Sequence, residues 1–319
     1  MSSEQPEEEK KVKKTVKKAG RPANNRGART KDVIRGVVQQ PQETDSVMEF
    51  ICNKPIMFKN IIAFFKTMST QKIQFIFKPT EIIIFGVEHF EITAIQAKID
   101  CSQVVHYYSK PEINFRAGFD LKELSQICDT INDQTMRIAF LSSLQSYKRE
   151  IKIIINDAMG IEEIHTLSQN NIEKQYTPDF EQKFMDETHI LNFTMSYKMF
   201  SKVCSDISHT NKEGNILILK PKERNEPLQI KYNSSTNKAS SLMTFKESKN
   251  IELHQGFLAQ DLRLDVKIGP LKQISSFKNF DKTTIFLDDM KPMITKAVIE
   301  DATIKTLTNI DNGVEYRKK

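Results

Sequence analysis

The sequence predicts an α+β protein made of two similar halves, each an antiparallel sheet backed by two helices. Three observations carry that prediction. Short apolar-rich runs recur from Val47 to Ile310 in the manner of strands. Longer segments place apolar residues at i, i+3, i+4 spacing, the pattern of a helix buried on one side. The order strand, helix, strands, helix, strands occurs twice.

The first half opens with EFIC, followed by PIMFKNIIAFFKTM (Pro55 to Met68), a helix that begins on a proline whose missing N–H is not needed there. KIQFIF, EIIIFGV, EITAIQAKI and VVHYY read as strands, with Lys78-Pro79-Thr80 as the turn between the first two. INFRAGF leads into a second helix, DLKELSQICDTIN, with Asp120 as N-cap and Glu123 placed to complete a capping box. MRIAFLS, REIKIIIN and EEIHTLS close the half as strands.

After a polar segment the order returns. ILNFTMS runs into a helix that contains MFSKVCSDISH (Met199 to His209); ILILK, LQIKYN, SLMTFKE and IELHQ follow as strands. LRLDVKI leads into the helix GPLKQISSFKNF, and TTIFLDD, MITKAVI and TIKTLTNI end the ordered region. Two local echoes support a duplication: Met57-Phe58-Lys59 matches the Met199-Phe200 start, and Leu121-Lys122-Glu123-Leu124-Ser125 matches Leu271-Lys272-Gln273-Ile274-Ser275. The expected division is a disordered basic tail at 1–46, an N-terminal domain at 47–168, a connector at 169–188, a C-terminal domain at 189–310 and a short tail at 311–319.

At 319 residues, with 20 Phe, the chain can bury two moderate cores. No window approaches the ~18 apolar residues of a membrane span, and MSSEQPEEEKK lacks the apolar stretch of a secretory signal. A soluble, intracellular protein, in cytoplasm or nucleus, is expected. The four cysteines and six histidines are dispersed, which argues against a disulfide framework and a metal cage. Ten glycines, no two closer than seven residues, leave no room for phosphate-binding glycine loops. No cofactor or metal is expected.

The net charge of +6 has one address. Through Arg35 there are eleven Lys and Arg against five Asp and Glu, and the rest of the chain carries thirty-six of each sign. The tail is too polar to offset the entropy of ordering. Within it, KKAGRPANNRGARTK resembles the core of an AT-hook, with Lys17, Lys18 and Arg21 as the DNA contacts and Ala19 in place of a usual arginine. A nuclear-localisation signal or a nonspecific phosphate-binding arm fits the same residues.

MFSKVCSDISH raises the question of catalysis, because it holds a thiol, a carboxylate and an imidazole. Helical phase places Cys204 on the apolar stripe with Met199, Phe200, Val203 and Ile207. Cys204 and His209 are five residues apart and diverge on a helix, so a nucleophile–base pair is not expected. Ser201, Lys202, Ser205, Ser208 and His209 line the other side, with Asp206 as its only acid, a surface suited to an anion.

On these residues the chain resembles a sliding clamp of the PCNA family, in particular the divergent PCNA-like proteins of large cytoplasmic DNA viruses. FSKVCSDISH resembles the family's third helix in its Phe, Cys, Asp, Ser and His spacing, and PIMFKNIIAFFKTM resembles the first. The likeness covers about Val47 to Ile310. It implies the DNA clamp fold, a homotrimeric ring of six domains with helices lining the hole, edge strands pairing between subunits, and a non-enzymatic role as DNA polymerase processivity factor. It implies that Lys59, Lys66, Lys122, Lys198, Lys202, His209, Lys272 and Lys278 face double-stranded DNA. Gln126 and Asp129 depart from the family's lysines. It further implies a partner-peptide pocket for replication and repair proteins beside the connector, to which Ile172, Tyr176, Pro178 and Phe180 are assigned. The competing expectations are a clamp-fold transcription factor or monomeric DNA-binding accessory protein that closes no ring, and an enzyme using Cys204, Asp206 and His209.

Overall fold

The computed structural model describes residues 46–89, 93–110, 115–143, 150–171, 176–210, 215–219, 227–233, 240–246, 250–255, 262–265, 268–288 and 291–308. The chain divides into two units, Met1–Thr44 and Asp45–Lys319, and the described residues all belong to the second. Both tails expected from the sequence, including Lys17, Lys18 and Arg21, therefore lie outside the described residues.

The first half runs β1 (Ser46–Cys52), α1 (Pro55–Thr67), β2 (Thr70–Phe77), β3 (Glu81–Glu88), β4 (Thr93–Asp100), β5 (His106–Ser109), β6 (Phe115–Asp120), α2 (Leu121–Asp129), β7 (Thr135–Ser143), β8 (Glu150–Asp157) and β9 (Glu162–Ser168). A linking helix, α3 (Pro178–Met185), follows. The second half runs β10 (Leu191–Ser196), α4 (Tyr197–Thr210), β11 (Asn215–Leu219), β12 (Leu228–Asn233), β13 (Ser240–Phe245), β14 (Ile251–Gln255), β15 (Leu262–Asp265), α5 (Ile268–Ser276), β16 (Lys282–Leu287), β17 (Met293–Ile299) and β18 (Ala302–Thr308).

Local chemistry explains the helix ends. Pro55 starts α1, and the Asp120 carboxylate accepts from the backbone N–H groups of Lys122 at 2.8 Å and Glu123 at 3.4 Å to start α2. Two differences from the sequence reading stand out. α5 ends at Ser276, so Lys278 lies past the helix, where Phe277 and Phe280 turn inward to be buried. α3 falls in the segment read as a plain connector: Thr177 accepts from the N–H of Phe180, Pro178 follows it, and Asp179 and Glu181 sit in the first turn.

The sheets show the duplication directly. A five-stranded sheet has the order β5-β1-β7-β8-β9, a four-stranded sheet β13-β12-β11-β15, and a nine-stranded sheet β14-β10-β16-β17-β18-β4-β3-β2-β6. The nine-stranded sheet is a five-strand block of the second half, β14-β10-β16-β17-β18, joined to a four-strand block of the first, β4-β3-β2-β6. The join is an antiparallel ladder from Thr93↔Thr308 to Ile99↔Ala302. The remaining two sheets are the matching blocks, the five-strand one from the first half and the four-strand one from the second.

Alternation along the strands assigns the two sides of the central sheet. Ile82 and Ile84 of β3 belong to the large core that contains the helices, whereas Ile83 and Phe85 belong to a smaller core with Tyr176 and Phe184. Helices α1, α2, α4 and α5 therefore occupy one side and α3 the other. Gly86 permits the close seating of α1, because a Cβ there would come within 2.7 Å of Thr70 Cγ2 and 3.2 Å of the Phe65 ring.

Candidate nucleic-acid interface

Helix α1 packs on α2, α4 packs on α5, and α1 meets α5 where the halves join. The α1–α5 contact is a wedge of rings: Phe64 stands edge-on to Phe277 and to Phe280, each at 5.2 Å between centroids. Asn279 Nδ2 donates to Asn60 Oδ1 at 2.8 Å beside it. The four helices thus make one continuous layer in the order α2-α1-α5-α4.

The apolar stripes face the sheets and the polar stripes face outward. On α4, Lys198, Lys202 and His209 are exposed, with the half-buried Ser205 on the same stripe, and Phe200, Val203, Cys204 and Ile207 are buried. Lys272 on α5 and Lys278 just beyond it are exposed, as are Lys66 on α1 and Lys122 on α2. Every sequence-assigned inner-face residue therefore stands on this layer or at its rim.

Their surroundings differ. Lys59 is half-buried, and its ammonium donates to the carbonyl of Ile131 at 2.6 Å and of Asp129 at 3.4 Å, closing the C-terminus of α2. Lys66 lies 3.6 Å from the Asp129 carboxylate. Among the described residues no ion pair engages Lys122, Lys198, Lys202, Lys272 or Lys278. His209 donates Nδ1–H to its own helix at the Ser205 carbonyl, 2.7 Å away.

Cys204 is buried, and burial pushes its thiol up to about 12, so no thiolate forms near neutral pH. Burial likewise pushes Cys128 up to about 12. The enzyme reading of the α4 segment thus has no activated nucleophile.

On the other side of the sheet, Tyr176 is sealed into the core. Its hydroxyl accepts from Gln96 Nε2 at 2.6 Å, its N–H donates to Gln74 Oε1 at 2.9 Å, and its carbonyl accepts from Arg116 at 3.0 Å. The rings of Tyr176 and Phe180 lie 5.2 and 5.1 Å from Phe85. Tyr176 is an anchor for the linking segment, whereas Pro178 is exposed and Phe180 is half-buried at the surface. Ile172 lies outside the described residues. Ion pairs complete the attachment: Lys78 holds Glu181, Lys291 lies 3.0 Å from Asp186, and Glu187 takes Lys296 at 3.1 Å and Lys305 at 2.6 Å. Sequence reasoning missed α3, although Thr177-Pro178-Asp179 with Glu181 is a legible helix start.

No family model matches the chain. It is 23% identical over 281 residues to an uncharacterized protein of African swine fever virus, a match spanning 86% of this chain and 91% of that protein in isolates from Kenya and Namibia alike. The structure superposes on the crystal structure of proliferating cellular nuclear antigen from Entamoeba histolytica with a TM-score of 0.66 at 13% identity, covering 83% of this chain and 99% of that one. Among the described residues no helix is long and apolar enough to cross a membrane. The chain has the fold of proliferating cellular nuclear antigen: antiparallel sheets backed by a layer of helices.

Proposed function

We propose that this protein is a ring-forming DNA sliding clamp, a processivity factor for a DNA polymerase, working in virus-infected cells. The observation that carries the reading is the pair of unmatched sheet edges. In the central sheet the five-strand block ends on β18 and joins the four-strand block at β4. The other five-strand block ends on β9 and the other four-strand block on β13, and each is an edge of its sheet. Pairing β9 of one copy with β13 of the next would repeat the internal join, a heterologous contact that closes a ring when its rotation returns to the start. Ile164 on β9 is 58% exposed and Leu242 on β13 is 55% exposed, so both edges carry an apolar side chain that such pairing would cover.

In this reading the clamp domains are 47–168 and 189–310, the linker 169–188 runs over the outside, and three copies place the helix layer around a duplex. Lysines contact phosphates without reading bases, so affinity is electrostatic and one phosphate is readily exchanged for the next. The exposed Pro178 and half-buried Phe180 border the surface offered to replication and repair partners. The basic tail, through Lys17, Lys18 and Arg21, adds a second, salt-sensitive hold on DNA.

Mass in solution tests the reading. A species of three times the 36.8 kDa chain mass is expected. A strict monomer at micromolar concentration would refute ring closure and favour the accessory-protein alternative. Charge reversal at Lys202 and Lys278 should abolish polymerase stimulation while assembly persists.

A further inference from the structure

The two halves share a topology and differ in the electrostatics of their helix faces. In the first half, the three lysines of the layer are Lys59, Lys66 and Lys122, and exposed Glu123 and Asp129 stand among them. Lys59 is engaged by the carbonyls that end α2, and Lys66 by Asp129, which leaves Lys122 as the one of the three with neither kind of contact among the described residues. In the second half, Lys198, Lys202, Lys272 and Lys278 are exposed and form no ion pair among the described residues, and Asp206 is the acid of α4. Lys198, Lys202 and His209 share one stripe with the Ser205 hydroxyl, which stands between Lys202 and His209.

We propose that the duplex is held chiefly by the second half of each chain, with the first half acting as a weakly charged spacer. This rests on the clamp reading above. The ligand is the phosphate backbone, because the lysine and serine donors are ammonium and hydroxyl groups, and the one planar side chain on the stripe, His209, turns its Nδ1–H to the Ser205 carbonyl of its own helix. A lysine already paired with a carboxylate must give up that partner before it can take a phosphate, so its counterion-release gain is reduced. In a closed ring the DNA contact would therefore alternate between strong and weak domains around the hole.

The test compares two double variants of the full chain that remove equal charge: Lys66→Gln with Lys122→Gln, and Lys198→Gln with Lys202→Gln. Binding to a linear, open-ended duplex is measured across a salt series, with assembly checked by mass. The basic tail is unchanged in both and contributes a common background. The second-half pair should weaken binding about tenfold or more and clearly flatten the dependence of log Kd on log salt, while the first-half pair shifts Kd less than about threefold. Equal losses would overturn the inequality and leave the clamp reading intact. No loss from either pair, with assembly preserved, would overturn both.

Discussion

The Lys66 ammonium on α1 lies 3.6 Å from the Asp129 carboxylate on α2, and the two side chains are 60% and 64% exposed. A pair that open to water adds little to stability. In the proposed clamp its consequence would be electrostatic, since an acid on the helix face would occupy a cation otherwise offered to phosphate. Asp129→Asn should leave the melting temperature almost unchanged and tighten duplex binding about two- to fivefold at low salt. Titration of a labelled duplex measures this, and weaker or unchanged affinity would contradict it.

Lys59 has a different role although it stands about two helical turns from Lys66 on the same helix. Its bond to the Ile131 carbonyl at 2.6 Å satisfies a backbone acceptor just past the C-terminus of α2. Lys59→Met retains the stem and removes the donor, so it should cost about 1 kcal/mol. Chemical denaturation reads the loss, and DNA affinity should fall less than in a matched change at Lys202.

Attachment of α3 should be acid-sensitive. Hydrogen bonds from Thr188 and then from Lys291 hold the Asp186 carboxyl down, from the ordinary 3.8 to about 2. Burial alone would push Glu187 up, but bonds from Lys305 and Lys296 hold it below its ordinary value. Folding thus favours the ionised forms, so their stabilisation is complete above about pH 4.5 and is lost as pH falls toward 2. Calorimetric unfolding between those limits should show a steeper decline for the wild type than for Asp186→Asn with Glu187→Gln.

Gly86→Ala should destabilise the first half by about 1 to 3 kcal/mol, because the new methyl would meet Thr70 Cγ2 and the Phe65 ring beneath α1. Thr70→Ser removes the nearer methyl and should rescue part of the loss. Equal stability of the single and double variants would show that the helix shifts to make room.

Much of the architecture was legible because local pattern decides it. Ile82 through Phe85 form an unbroken apolar run because β3 is covered on both sides, by α1 on one and by the Tyr176 segment on the other. Asp120 marked the start of α2 by a short-range bond. What escaped was decided at long range. Nothing near Lys59 in sequence announces that it reaches the Ile131 carbonyl, and Tyr176 looked like a surface aromatic until Gln74 and Gln96 were brought under it. Lys278 lost its place on α5 because Phe277 and Phe280 are drawn to Phe64 across the junction.

That junction also distributes mechanical strength unevenly. Within one chain the halves are held by the β4–β18 ladder, by the ring wedge at Phe64 and by α3 lashed across the back, whereas neighbouring copies would share a strand edge without the other two fastenings. A hoop assembled from such parts has stiff links and weaker seams. In the proposed ring, opening to admit duplex DNA would therefore part the seams between chains, with each chain moving as a rigid body.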